Sequence, residues 1–217
     1  MRLYSETSTL KDTQMNTQQV NFSSLYFGTP VAIISSQNAD GTTNLSPVSS
    51  WWILGKSIVF GLGKSGKCYE NLQQNADIVL NIPDARMWEY VEAMAGTTGK
   101  EHVPDIKRKM GYRSEKNKFL CSDLTEVNSL DVGPGRIKEC PVQIEARVVK
   151  GMSPGEYTEE MVSMEARIIR THVSENLLSF NDGKIIFNVE EWKPLYYIFR
   201  HYFSSGEHLG KNFRCNK

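Results

Sequence analysis

Ser57-Ile-Val-Phe-Gly-Leu-Gly-Lys-Ser-Gly-Lys-Cys-Tyr-Glu-Asn-Leu72 runs from an apolar segment into the pattern G-x-x-x-x-G-K. Two folds compete for this stretch. As a nucleotide-binding P-loop it would join a parallel strand to a long helix and place Ser or Thr after the lysine to ligate Mg²⁺. Here that position is Cys68, a soft sulfur where the hard ion requires oxygen. The helix after it has room for about two turns before the next apolar run, Asp77 to Ile82. No alternating strand–helix series follows to build a doubly wound sheet. The ATP reading fails, but the anion chemistry survives it. Glycines free the backbone, Lys64 and Lys67 carry positive charge, Ser65 offers a hydroxyl, and a helix start leaves N–H groups unpaired. The same residues read equally as a glycine turn between solvated lysines.

Working outward, the neighbouring segments are β-rich and closely spaced. Pro30 to Ser36 is a strand, Asn38-Ala-Asp-Gly41 a turn in which Asp-Gly tolerates positive φ, and Thr42 to Leu54 a second extended run. Gly55-Lys56 turns the chain into the third strand, Ser57 to Leu62. Connections this short cannot cross over to a parallel partner, so these segments are expected to form a meander of antiparallel hairpins. Lys67 to Gln74 is expected as a short helix, and Ala85 to Ala95 as an amphipathic one with Met87, Val91 and Met94 on one side. Pro141 to Lys150 and Ser163 to Val173 alternate apolar with charged residues, the pattern of strands with one buried face, and Ile185 to Val189 is the last strand expected. The class is mainly β, an antiparallel barrel with peripheral helices.

Composition excludes several functions. The 217 residues hold 25 Lys+Arg against 25 Asp+Glu, so no global field recruits nucleic acid or an anionic membrane. No apolar run approaches the roughly 20 residues of a membrane span, and the polar N-terminus lacks the core of a signal peptide. Cys68, Cys121, Cys140 and Cys215 are widely spaced, without C-x-x-C, and read as reduced thiols of a cytoplasmic protein with no metal site. Residues 1–22 are expected to be an N-terminal arm, and 23–217 one domain in which the glycine- and charge-rich segment 96–135 is an insertion or covering lobe.

Three further blocks stand around the loop: Asp40-Gly-Thr-Thr-Asn-Leu-Ser-Pro-Val-Ser-Ser50, Lys67-Cys-Tyr-Glu-Asn-Leu72, and Glu139-Cys-Pro-Val-Gln-Ile-Glu-Ala146. In this order the series, from about Tyr26 to Val189, resembles the flavin reductase-like domain family. The resemblance implies an FMN-binding, Greek-key split β-barrel acting as a homodimer. It implies an oxidoreductase that moves hydride or electrons through FMN, with NADH or NADPH as reductant, to free flavin, a monooxygenase or another acceptor. It assigns Asn44, Ser46, Pro47, Val48, Ser49 and Ser50, with Trp51 as neighbour, to the isoalloxazine and ribityl chain. Gly63, Lys64, Ser65, Lys67 and Cys68 fall by the phosphate, where Cys68 replaces the family's usual hydroxyl.

The flavin carries the redox chemistry in such proteins, so no acid–base triad is required and none is visible. Members that use NAD(P)H often carry Gly-Asp-His just before the strand matching Ser163 to Val173. This chain has Glu159-Glu-Met161 there. That departure keeps a second reading open: an FMN-binding electron carrier or flavin-storing protein without NAD(P)H activity of its own. His201, in Arg200-His-Tyr-Phe203, is the one catalytic candidate. The aromatic run Tyr196 to Phe203 is expected to serve packing or a dimer contact. His172 reads as structural. Trp51 and Trp52, adjacent on a strand, must point to opposite faces.

Overall fold

The computed structural model describes residues 16–22, 25–152 and 159–212. The first part of the expected arm and Cys215 lie outside the described residues. In chain order the first elements are β1 (Phe27–Pro30), β2 (Ala32–Gln37), β3 (Thr43–Val48), β4 (Trp51–Leu54), β5 (Ser57–Gly63), α1 (Lys67–Leu72) and β6 (Asp77–Ile82). After them come α2 (Trp88–Ala95), β7 (Thr97–Thr98), α3 (Asp105–Lys109), β8 (Arg113–Ser114), α4 (Lys118–Cys121), β9 (Glu126–Val127) and β10 (Arg136–Ile137). The long strands β11 (Val142–Met152) and β12 (Met161–Val173) follow, then the hairpins β13 (Leu178–Asn181)–β14 (Lys184–Phe187) and β15 (Tyr196–Ile198)–β16 (His201–Phe203).

Seven antiparallel strands form the main sheet in the order β3-β2-β6-β11-β12-β5-β4. Two sequence expectations are corrected by this order. The run from Thr42 to Leu54 is not one strand, because it breaks at Ser49-Ser50. The hairpins β2–β3 and β4–β5 do not sit side by side as a meander but occupy opposite edges of the sheet. Since β3 and β4 are separated by only two residues, the sheet must curl until its edges meet. The Gly61 N–H donates to the Ser50 carbonyl at 2.8 Å, carrying the β4–β5 pairing up to that junction. Register shifts at Glu145/Ala146 and Val148/Lys150 bend the longest strand pair, as bulges do. The result is a curled half-barrel, the split form of the expected barrel.

Strand periodicity explains the interior. Ile58, Phe60 and Leu62 of β5, Ile78, Leu80 and Ile82 of β6, Val142, Ile144 and Ala146 of β11, and Val162, Met164 and Ala166 of β12 alternate inward into one core. A second core lies outside the sheet, where Val31, Ile33 and Leu45 meet Met87, Val91 and Met94. Those three residues are the apolar face expected from sequence, now on the short turn Ala85–Met87 and helix α2. With both faces covered, β2 is buried over nearly its whole length, and its first half, Ala32 to Ile34, is apolar without alternation for that reason. From the segment 96–135 Phe119 and Leu124 join the second core, and Ile137 just beyond it does the same.

Buried polar groups fix the loops. Glu145 is wholly buried and accepts from the Leu130 and Asp131 N–H groups (2.9 and 2.6 Å) and from His172 Nε2 (2.7 Å). Burial pushes this carboxyl up, but those donors outweigh it and hold the group below the usual carboxylate range. His172 is therefore a structural partner, as its sequence setting suggested. The end of the chain differs from expectation, because Ile185 to Val189 does not hold the last strand. Residues 196–203 form a further hairpin, pairing with β1 through Tyr196 and Tyr197.

Candidate functional site

The seam of the barrel opens into a cleft of about 650 Å³, within the range of small-molecule sites. One wall is the β3–β4 junction, Ser46 to Ser50, where the chain leaves one edge of the sheet for the other. The floor is the glycine loop, with Gly63, Gly66, Lys67 and Cys68 facing the cleft. The opposite wall comes from α2 and the 96–135 lobe, through Val91, Thr97, Thr98, Lys107, Tyr112 and Lys118. Tyr197, Arg200 and Tyr202 of the last hairpin close the mouth.

Eight of the twelve residues singled out by sequence line this cleft: Ser46, Pro47, Val48, Ser49, Ser50, Gly63, Lys67 and Cys68. Asn44, Trp51, Lys64 and Ser65 do not. Asn44 is wholly buried behind the wall, and its amide donates to Ser36 Oγ at 3.4 Å and Ser46 Oγ at 3.2 Å. It therefore positions Ser46. Its Oδ1 finds no partner among the described residues and faces Gly99, where a Cβ would lie 2.5 Å away. Trp51 packs on the first core and donates Nε1–H to the Pro30 carbonyl at 2.8 Å, while Trp52 is exposed on the other face, as strand alternation requires. Lys64 lines a shallow groove beside Tyr69 and Val148. Ser65 sits half-buried in the same turn. His201 is exposed and lines a neighbouring groove, outside the main cleft.

The electrostatics of the cleft come largely from residues that sequence reading did not single out. Lys67 pairs with Glu70, which Lys100 also reaches at 3.1 Å. These lysines hold the Glu70 carboxyl below its ordinary range. Lys118 is different. It is 3% exposed, and its Nζ donates to the Leu45 carbonyl at 2.7 Å and the Thr97 carbonyl at 3.5 Å. Burial, with Lys107 as a second cause, pushes its ammonium down to about 8. Lys107 lies over the Tyr112 ring at 5.1 Å, and it too is lowered by burial and then by Lys100. Among the described residues neither Lys107 nor Lys118 has a carboxylate within 4.0 Å. A buried cation without a counter-ion is costly, and the cleft is where an anion would relieve it.

Cys68 is nearly inaccessible, and burial raises its thiol to about 11, so it stays protonated and contributes no charge. The donor set is thus three serine hydroxyls, a glycine loop and three ammonium groups, beside an apolar shelf of Pro47, Val48 and Val91. That chemistry fits an elongated molecule with a flat apolar part and an anionic end. Among the described residues no three His, Cys, Asp or Glu side chains converge to hold a metal, and no helix is long and apolar enough to cross a membrane.

The last hairpin carries backbone strain at the mouth. Ile198 pairs with His201, so Phe199 and Arg200 form a two-residue turn with φ of 44° and 70°. Such turns favour Asn-Gly, and side chains there cost roughly 1–2 kcal/mol each.

A curled antiparallel half-barrel with a hydroxyl- and lysine-lined cleft at its seam defines a split-barrel protein. The chain belongs to the flavin reductase like domain family, whose model matches residues 23–206. It is 40% identical over 190 residues to YdfE, an uncharacterized protein of Bacillus subtilis (strain 168), covering 88% of this chain and 90% of that one. The flavoredoxin of Desulfovibrio vulgaris (Miyazaki F) shares the fold, with a TM-score of 0.73 at 18% identity over 93% of this chain and all of that one (100%). So does nitrilotriacetate monooxygenase component B from Bacillus cereus, with a TM-score of 0.68 at 20% identity over 91% of this chain and 100% of that one.

Proposed function

We propose that the chain binds FMN in the seam cleft and acts as an oxidoreductase. It moves hydride or electrons from NADH or NADPH to a flavin, a monooxygenase or another protein acceptor. The observation that carries this reading is the pair of uncompensated lysines, Lys107 and Lys118, facing the glycine loop across a cleft walled by Ser46 to Ser50. FMN, when bound, supplies the redox chemistry. The chain's own residues bind and orient. The Gly63–Cys68 loop, Lys67, Lys107 and Lys118 would hold the phosphate, and the serine hydroxyls and Pro47–Val48 would hold the ribityl chain and ring. Asn44 keeps the Ser46 hydroxyl in place. The family supports this reading, as do split-barrel neighbours whose names include flavoredoxin and an FMN-binding domain from Shewanella baltica.

Exposed apolar side chains on β4 (Trp52 and Leu54) and on the β13–β14 hairpin (Phe180 and Ile185) support a homodimer. The same reading places the protein in the cytoplasm. Met161, exposed and paired with Gly63 at the start of β12, favours the second reading, an electron carrier or flavin store without NAD(P)H activity. Reconstitution with FMN followed by anaerobic NADH and NADPH titration tests both. Bleaching by a pyridine nucleotide supports the reductase. Bleaching by dithionite alone supports the carrier, and a protein that never takes up FMN defeats both.

A further inference from the structure

A second groove of about 690 Å³ opens beside the cleft and shares Glu92, Arg200 and Tyr202 with it. Its walls combine aromatic faces with basic groups. Trp88 of α2 and Phe203 of the hairpin are 45% and 49% exposed, and Arg200 and His201 line the same groove. The acidic group in the groove is already engaged, because Glu92 Oε2 accepts the Tyr202 hydroxyl at 2.9 Å. Arg200 has no carboxylate within 4.0 Å among the described residues.

The strained turn is an independent observation. Phe199 is anchored by edge-on contacts with Phe22 and Phe27 at 5.4 and 4.9 Å, and its N–H donates to the Tyr26 carbonyl at 3.0 Å. That anchor holds the turn while Arg200, at φ 70°, lines both cavities. Glycine at position 200 would relieve the strain without disturbing that anchor and would present nothing there. Strain of this kind persists where a side chain must be held in place for a task.

We propose that this groove binds a planar aromatic anion. Its ring lies on the Trp88–Tyr202 pair, whose centroids are 6.2 Å apart, and its carboxylate or phosphate meets the Arg200 fork. Because the wall is shared, the occupant sits next to whatever fills the cleft. If the cleft holds FMN, as proposed above, the groove takes the reactant that meets it. Two sources carry the chemistry, an aromatic carboxylic acid and a pyridine nucleotide.

The test titrates the full chain, with and without FMN, with naphthoate, NADPH and neutral naphthylmethanol, read by tryptophan fluorescence and calorimetry. At least one anion is expected to bind about tenfold more tightly than naphthylmethanol, and Arg200→Gln to abolish that preference. Which anion responds identifies the source. The variant Arg200→Gly, which keeps the Phe199 anchor, is expected to raise the thermal midpoint and lose the anion, a combination that misfolding cannot produce. Anion binding that survives in both variants, or no preference for either anion in the unaltered protein, overturns the proposal. Anion binding through Arg200 in a chain that rejects FMN would defeat the FMN reading and keep this one. FMN binding with no effect of Arg200 on either anion would do the reverse.

Discussion

Replacing Lys118 by Met should change how stability depends on pH. In the folded chain burial lowers this ammonium from 10.5 to about 8, a differential of about 3 kcal/mol between the protonated and neutral forms. The sign follows from which state holds the proton. Below pH 8 both folded and unfolded chains carry the charge, and the burial penalty is fully present. Between about 8 and 10.5 the folded chain has released a proton that the unfolded chain still binds, so stability rises with pH. Lys118→Met removes this contribution and leaves the other titrating groups in place. Urea unfolding of both proteins from pH 7 to 10.5 should therefore show the unaltered chain gaining about 3 kcal/mol relative to the variant. A difference that stays flat would mean that Lys118 is not a buried cation, and the electrostatic case for an anion in the cleft would fall with it. If FMN phosphate is that anion, its binding should weaken above pH 8 in the unaltered chain and not in the variant.

Lys67→Ala is expected to weaken FMN binding by about tenfold, as loss of a charge-assisted contact does, and an unchanged dissociation constant would remove Lys67 from the phosphate site. Gly99→Ala should destabilise the chain by about 1–3 kcal/mol, because its Cβ would meet Asn44 Oδ1 at 2.5 Å and Lys67 Cγ at 3.0 Å. A thermal midpoint equal to that of the parent would show that Asn44 can turn aside. Burial keeps the Cys68 and Cys140 thiols protonated and out of reach. Peptide mapping after thiol labelling should find half-buried Cys121 modified in the native chain, and those two only after unfolding. Native-state labelling of Cys68 would contradict its placement.

Much of the fold was legible because strand alternation is a local signal. The inward sets on β5, β6, β11 and β12, and the Met87–Val91–Met94 face, are periodic in the sequence itself. The closure of the barrel was not, because nothing in Thr42 to Leu54 announces that two residues carry the chain from one sheet edge to the other. The same division holds for the site. The glycine loop and the Ser46–Ser50 wall have compact motifs, and both line the cleft. Lys107 and Lys118 lie in a charge-rich segment that reads as solvated surface, and only tertiary packing buries Lys118 against the Leu45 carbonyl. Arg200 was hidden for another reason. Its sequence shows an aromatic run, whereas its importance lies in a backbone conformation that its residue type disfavours.

The seam at Ser49-Ser50 has a consequence for how the molecule is held closed. Both outermost strands of the main sheet are tied to one another by a single dipeptide, and the Gly61–Ser50 contact extends the β4–β5 pairing into it. Neither edge can peel away, or offer its unpaired amides to a neighbouring molecule, without dragging the other. New termini cut at this point would release two free edges at once. A circular permutant opened there should self-associate, whereas one opened at the exposed Asp182-Gly183 turn should remain well behaved. The dipeptide that walls the cleft is thus also the latch that keeps this sheet from polymerising.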